Sequence, residues 1–330
     1  MRWKLALLLL CLLIQSANST LSKSSKSKND EKTEKKPKVL EQEEQPENLE
    51  TANELERWNG HGYDVAKWTA EKYTHISPVW FQMIPSQSKG DLTCEFKGQH
   101  DIDRGWLEDV RRNNSNIKIV PRFILEMNDP KLFERFLTTE TAHVRCADQL
   151  ANFLLRNQFD GVVFEFWLQV LVATRGQGSE YLIEMTEMFG RRLKLKKSSL
   201  HRSTHTTSSN DEYVSRIIEA VDFVNLMTYD YAGQEIGGVA PIPWIRTNVQ
   251  LFLSQDPEYA QKLLIGLNYY GHCSGQIKDT IMANKGDESQ CYFPTRRSID
   301  VRLDFVETER LGGVGIWELG QGLNSFTSLL

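Results

Sequence analysis

The stretch Phe159-Asp160-Gly161-Val162-Val163-Phe164-Glu165-Phe166-Trp167 decides the fold. Its β-branched and aromatic residues, opened by Asp160-Gly161, read as a strand. Side chains alternate across a strand, so Val163, Glu165 and Trp167 are expected on the inward face. Val162, Phe164 and Phe166 are expected to meet surrounding helices. A carboxylate on an inward face needs a cation or hydrogen bonds, and Arg122 is a candidate partner for Glu165.

Working outward, strand-like runs alternate with helical patterns from Trp58 onward, the signature of βα units around a parallel sheet. The strand-like runs are Tyr73–Met83, Leu92–Phe96, Ile117–Leu125, Asp160–Trp167, Asp222–Tyr229, Leu263–Tyr270 and Gly313–Trp317. Helical spacing or charge pattern marks Asp103–Asn113, Thr139–Asn157, Ser179–Lys197, Glu212–Val221, Trp244–Leu253 and Thr295–Leu311. At roughly one unit per 35 residues, these runs approach an eight-stranded barrel. Periodicity alone leaves a doubly wound open sheet equally open.

The 330 residues suffice for a full-sized core, and the net charge of −5 offers nothing to nucleic acid or to an anionic membrane. Arg2, Lys4, the apolar run Leu5 to Ile14 and the small-residue exit Ala17-Asn18-Ser19 predict a secretory signal over residues 1–19. That run is too short to span a bilayer, so no membrane span is expected. Residues 20–57 are mostly Lys, Glu, Ser and Gln, which predicts a disordered charged linker before a domain at 58–330. Of five cysteines, Cys11 leaves with the signal. Cys273 and Cys291 bracket one loop and are the favoured disulfide, with Cys94 and Cys146 as a second pair or free buried thiols. No Cys-x-x-Cys or His cluster argues for a metal, and no cofactor motif is present. Asn113-Asn114-Ser115 is a glycosylation sequon, placing the candidate sugar on Asn113 in a polar loop after a helix.

The nonapeptide resembles the fourth strand of glycoside hydrolase family 18, the chitinases, whose pattern is F-D-G-x-D-x-D-x-E. Met227-Thr228-Tyr229-Asp230 resembles that family's sixth strand, Leu264 to Gly271 its seventh, and Gly312-Gly313-Val314-Gly315-Ile316-Trp317 its eighth. The resemblance covers Gly62 to Leu330 and implies an α/β fold of the TIM (β/α)8 type. It also implies that the acid protonating the leaving sugar is missing, because Trp167 stands in its place and Val163 replaces a supporting Asp. Glu165 would sit on the right face but roughly 6.5–7 Å deeper, at a rise of about 3.3 Å per residue.

Ile76-Ser77-Pro78-Val79-Trp80, Ile119-Val120-Pro121-Arg122 and Ile316 to Gly322 are similar to a chitinase-like group described as secreted and lysosomal. That group binds saccharides instead of cutting them. The resemblance thus implies an oligosaccharide ligand and leaves room for a scavenger or sorting receptor as partner. A weak glycosidase using Glu165 or Asp230, and a purely protein-binding barrel, are the alternatives. Ligands on this fold lie at the carboxyl ends of the strands. The candidate carbohydrate-binding residues are therefore Trp80, Glu165, Trp167, Tyr229, Asp230, Asn268, Tyr270, Trp317 and Glu318. In the family, the residue matching Trp317 floors the subsite beside the scissile bond. Those matching Tyr229 and Asp230 hold the N-acetyl group.

Two departures from the family stand out. The interval from Arg191 to Ser209 shows no apolar fifth strand, and Gly271 to Cys291 is short and polar where relatives carry a cleft wall. The expectation is either a contracted barrel with the fourth and sixth strands paired directly, or an open gap between them.

Overall fold

A computed structural model describes residues 10–15, 60–195, 212–231, 240–273 and 291–330. The expected linker at 20–57, Trp58, the stretch 196–211 and most of the Gly271–Cys291 loop lie outside the described residues. The chain runs β1 (Leu10–Gln15), α1 (Gly60–Trp68), β2 (His75–Ile76), β3 (Phe81–Ser88), β4 (Asp91–Lys97) and α2 (Arg104–Asn113). It continues with β5 (Lys118–Ile119), β6 (Arg122–Leu125), α3 (Pro130–Leu137), α4 (Glu140–Arg156), β7 (Gly161–Phe164), α5 (Trp167–Ala173) and α6 (Ser179–Leu195). The remainder is α7 (Glu212–Ala220), β8 (Phe223–Leu226), α8 (Ile242–Leu253), β9 (Leu263–Asn268), β10 (His272–Cys273), β11 (Cys291–Tyr292), α9 (Arg296–Thr308) and β12 (Gly313–Trp317).

Local chemistry starts and stops these elements. Asp103 caps α2 by accepting from the Trp106 amide at 2.9 Å. Asp129 caps α3 ahead of Pro130, whose missing N–H costs nothing in the first turn. Thr295 and Ser298 form a reciprocal capping box on α9. Gly98 adopts φ +89°, and a Cβ there would stand 1.8 Å from the Trp80 carbonyl oxygen, so the chain can pass only as glycine.

One sheet runs β12-β9-β8-β1-β7-β6-β3-β4. The pairs β12–β9, β9–β8, β7–β6 and β6–β3 are parallel, and β2–β5 extends the last ladder toward the strand starts. Helices fill the crossovers, giving a TIM-barrel-like α/β fold whose sheet forms part of a barrel. Among the described residues no strand pairs with the outer side of β12, so a seam separates β12 from the segment at 74–80.

Two expectations need correction. Leu92–Phe96 is a strand, but it pairs antiparallel with β3 as the far arm of a hairpin and is not a barrel unit. Only Lys89 and Gly90 separate the arms, and a parallel connection needs a crossover of about a dozen residues. The fifth-strand position is neither contracted nor open. β1, drawn from the expected export signal, lies antiparallel between β7 and β8, so those two strands never touch. Residues 191–195 end α6, and the rest of the interval lies outside the described residues.

An aromatic cluster packs between β3, β6 and α4. Phe81 stacks on Phe123 at 4.9 Å, and Phe96, Phe153 and Phe159 pack around them within 6.3 Å. Such offset and edge-to-face pairs add about 0.5–1.5 kcal/mol each beyond buried area. Cys94 in β4 and Cys146 in α4 form a disulfide with Cα atoms 5.2 Å apart. The favoured pair was the other one. The backbone register sets Cys273 opposite Cys291 across β10 and β11, but their side chains lie outside the described residues.

Candidate functional site

The inward faces of the strands border a cavity of about 570 Å³. Its lining alternates as strand geometry requires: Val163 belongs to β7 and Glu165 directly follows it, and Phe223 and Asn225 belong to β8. Their neighbours Val162, Phe164, Val224 and Leu226 are buried against the outer layer. Val120 and Arg122 contribute from the β6 side. The cavity then reaches the seam, bordered by Tyr63 and Ala66 of α1, by 72–79, and by all of β12.

A charged stack crosses this space. Arg122 Nη1 donates to Glu165 Oε2 at 2.8 Å, with both side chains mostly buried. The Arg122 guanidinium carbon also lies 5.2 Å from the centre of the Trp317 ring. The expected cation partner of Glu165 is therefore present, and one face of Trp317 carries the same cation. Arg122 Nε and Asn225 Oδ1 are buried without a hydrogen-bond partner among the described residues. A Cβ on Gly315 would stand 2.4 Å from Asn225 Oδ1, so glycine at 315 makes room for that amide.

A second cluster sits where β8, β9 and β12 end. Tyr270 Oη donates to Asp230 Oδ1 at 2.5 Å. Burial first, then this bond and the charges of Asp230 and Glu318, hold the Tyr270 phenol well above its usual range, so it stays a donor. Asp230 adopts φ +57°, a left-handed conformation that Asp tolerates better than most residues. Tyr229 is buried against Gly266, where a Cβ would stand 2.7 Å from the Tyr229 ring. Its ring meets Tyr270 edge-on at 6.3 Å. Glu318 Oε1 accepts from Gln321 Nε2 at 2.8 Å, and the Trp317–Glu318 peptide is cis.

Of the nine predicted binding residues, Glu165, Tyr229, Trp317 and Glu318 line the cavity, and Asp230 and Tyr270 stand beside them. The other three do not face it. Trp80 is buried in an aromatic cluster with Tyr63, Phe81 and Trp106. Trp167 is buried in the hydrophobic core as the first residue of α5, because the strand ends at Phe164. Alternation therefore stops at Glu165, and no indole stands above that carboxylate in strand register. Asn268 donates to the Tyr270 carbonyl at 2.7 Å and fixes the backbone after β9. Asn113 is the last residue of α2 and not a loop residue; its amide donates to the Lys67 carbonyl at 2.8 Å.

Sequence reasoning overlooked Asn225 and Tyr63. The signal for Asn225 was present, as a polar residue at an inward position of the apolar run at 222–229. Tyr63 carried none, since α1 was not among the expected helices. Among the described residues no group of three or more His, Cys, Asp or Glu could hold a metal ion, and no helix is long and apolar enough to cross a membrane.

Fold and cavity define a TIM-barrel-like α/β protein with its candidate ligand groups at the strand ends. The sequence profile of glycosyl hydrolases family 18 matches residues 41–322, and the chain belongs to that family. Solved structures agree on the fold. A chitinase from Chromobacterium violaceum superposes with a TM-score of 0.61 at 17% identity, over 81% of this chain and 93% of that one. The spore cortex-lytic enzyme SleL of Bacillus megaterium gives 0.58 at 16%, over 85% and 70% of the two chains. A family 18 N-acetylglucosaminidase from Paenibacillus barengoltzii gives 0.57 at 16%, over 82% and 96%.

Proposed function

We propose that this chain is a chitinase-like carbohydrate-binding protein that recognises short amide-bearing oligosaccharides and does not cleave them. The observation that carries the reading is the fate of position 167. The family pattern asks there for an inward carboxylic acid, and the chain instead turns into a helix with a buried indole. A general acid must reach within about 3.2 Å of the atom it protonates, or act through one water. Glu165, the nearest carboxylate along the strand, is engaged by Arg122.

Recognition needs no proton transfer. Trp317 offers a ring to the apolar face of a pyranose, on the side away from Arg122. Asp230, Tyr270 and Glu318 supply polar atoms for hydroxyl and amide groups, and Tyr229 closes the floor. Export and delivery to the lysosome, with a sorting receptor as carrier, belong to the same proposal and rest on the group resemblance.

Isothermal titration with N-acetylglucosamine oligomers, run beside a fluorogenic turnover assay, is the test. Binding without turnover is expected. Turnover abolished by Glu165→Gln would overturn the reading in favour of a residual glycosidase. Trp317→Ala is expected to weaken binding by roughly 1–3 kcal/mol in a chain that still melts cooperatively. No binding at all would move the function to a protein partner.

A further inference from the structure

We propose that Leu10–Gln15 is a working strand of the barrel, so that the N-terminal apolar run has two mutually exclusive destinations: the gap between β7 and β8, or an export apparatus. Both registers are specific. Leu12, Leu13, Ile14 and Gln15 oppose Phe164, Val163, Val162 and Gly161. On the other side Leu10, Cys11, Leu12 and Leu13 oppose Leu226, Asn225, Val224 and Phe223. Leu12 and Leu13 are thus paired on both flanks, as in a central strand.

The neighbours make the slot hard to leave empty. All four residues of β7 are buried, and α5 and α6 lie against β1 from outside. Without β1, the facing edges of β7 and β8 would keep buried backbone groups unpaired, a situation native structures avoid. The family's own route to a strand here would run through 196–210. That stretch is mostly Ser, Thr, Lys and His, with no apolar alternation to meet interior and helices. Leu10–Gln15 has the composition of a strand buried on both faces. Its antiparallel direction has a simple cause: it comes before α1 and is not the product of a right-handed βαβ crossover, which imposes parallel order.

An apolar export run and a doubly buried strand have the same chemistry, so the two destinations compete for one segment. A chain that folds with this strand in place pairs the run on both edges and closes the slot. A chain processed after residue 19 loses the strand and exposes two edges. The strand assignment does not rest on the sugar-binding reading.

The natural Cys11 provides the test. It opposes Asn225, and directly opposite Cα atoms in an antiparallel pair are about 4.5–5.5 Å apart, inside the disulfide range. The full chain carrying Asn225→Cys, made without export and mildly oxidised, is expected to form a link from Cys11 to the new thiol. Peptide mass spectrometry should find roughly tenfold more of it than in Val224→Cys, whose partner is Leu12 and whose side chain faces the other way. Equal linking in the two variants, or none in a folded Asn225→Cys chain, overturns the proposal. If Asn225→Cys does not fold, Leu13→Pro decides, because proline breaks a central ladder. Hydrogen exchange at 161–164 and 223–226 should then quicken by about tenfold or more. Unchanged protection there overturns the proposal.

Discussion

β7 and β12 are both short apolar strands of one sheet, yet all four residues of β7 are buried and all five of β12 are only half-buried. The difference lies in their neighbours. β7 has a strand on each side and helices behind, whereas β12 has β9 on one side and the seam on the other. Similar composition therefore gives two kinds of strand, one sealed along both edges and one with an open outer edge among the described residues. On the proposed reading, stability and recognition are divided between the two halves of the barrel.

The largest test of that division is a cavity in the sealed half. Phe123 is fully buried among aromatic rings, and Phe123→Ala is expected to cost about 3–5 kcal/mol in urea unfolding. A cost below about 1 kcal/mol would mean that the aromatic cluster is loosely packed. Next comes the Cys94–Cys146 bond, which closes a 52-residue separation. Replacing both cysteines with Ser should cost up to about 4 kcal/mol on the loop-entropy scale, read as a lower melting temperature.

The third test is pH. His143 is buried in α4, and burial pushes its imidazole down to about 4, only partly offset by backbone hydrogen bonds to Phe136 and Leu137. The unfolded chain binds that proton near the ordinary value of about 6.5, so it holds more protons than the folded chain between the two values. Stability from His143 is therefore complete above about pH 6.5 and is lost as pH falls toward 4, by on the order of 3 kcal/mol. Denaturation midpoints of the parent chain and His143→Leu should differ in pH slope within that window. Parallel slopes would show that the imidazole is hydrated.

The smallest effect belongs to the seam. Val314 is half-buried in β12, and Val314→Ala should cost about 1 kcal/mol or less. A loss as large as that of Phe123→Ala would mean that the seam is filled in solution, and the comparison would fail.

The sequence carried most of this layout. The six expected helices all form, each within about three residues of its expected bounds. Glu165 and Arg122 meet as anticipated because an inward carboxylate needs a cation. What was not legible has physical causes. Over three residues, Glu165-Phe166-Trp167 cannot distinguish a strand that continues from a helix that begins, so the strand position expected for Trp167 differs from its place at the start of α5. Leu92–Phe96 announced a strand but not its direction, which the two-residue turn at Lys89-Gly90 fixes. The strand at Leu10–Gln15 was hidden behind an export reading that stands beside it, because burial in a sheet and passage through a membrane select the same residues. α1, α3 and α5 are short, at nine, eight and seven residues, which leaves little room for a period to repeat, although the hydrophobic spacing of the equally short α7 was read.

The staple between β4 and α4 has a further consequence, for solubility. Among the described residues β4 is one of the two outermost strands of the sheet, and an outermost strand is where a foreign chain can add by backbone pairing. Held to α4 through Cys94 and Cys146, it cannot swing out to recruit one. In a reducing compartment that restraint would go, and the hairpin could be exchanged between copies. At this edge the same chain is expected to recruit copies of itself more readily when reduced than when oxidised, a difference that light scattering in the two states would read.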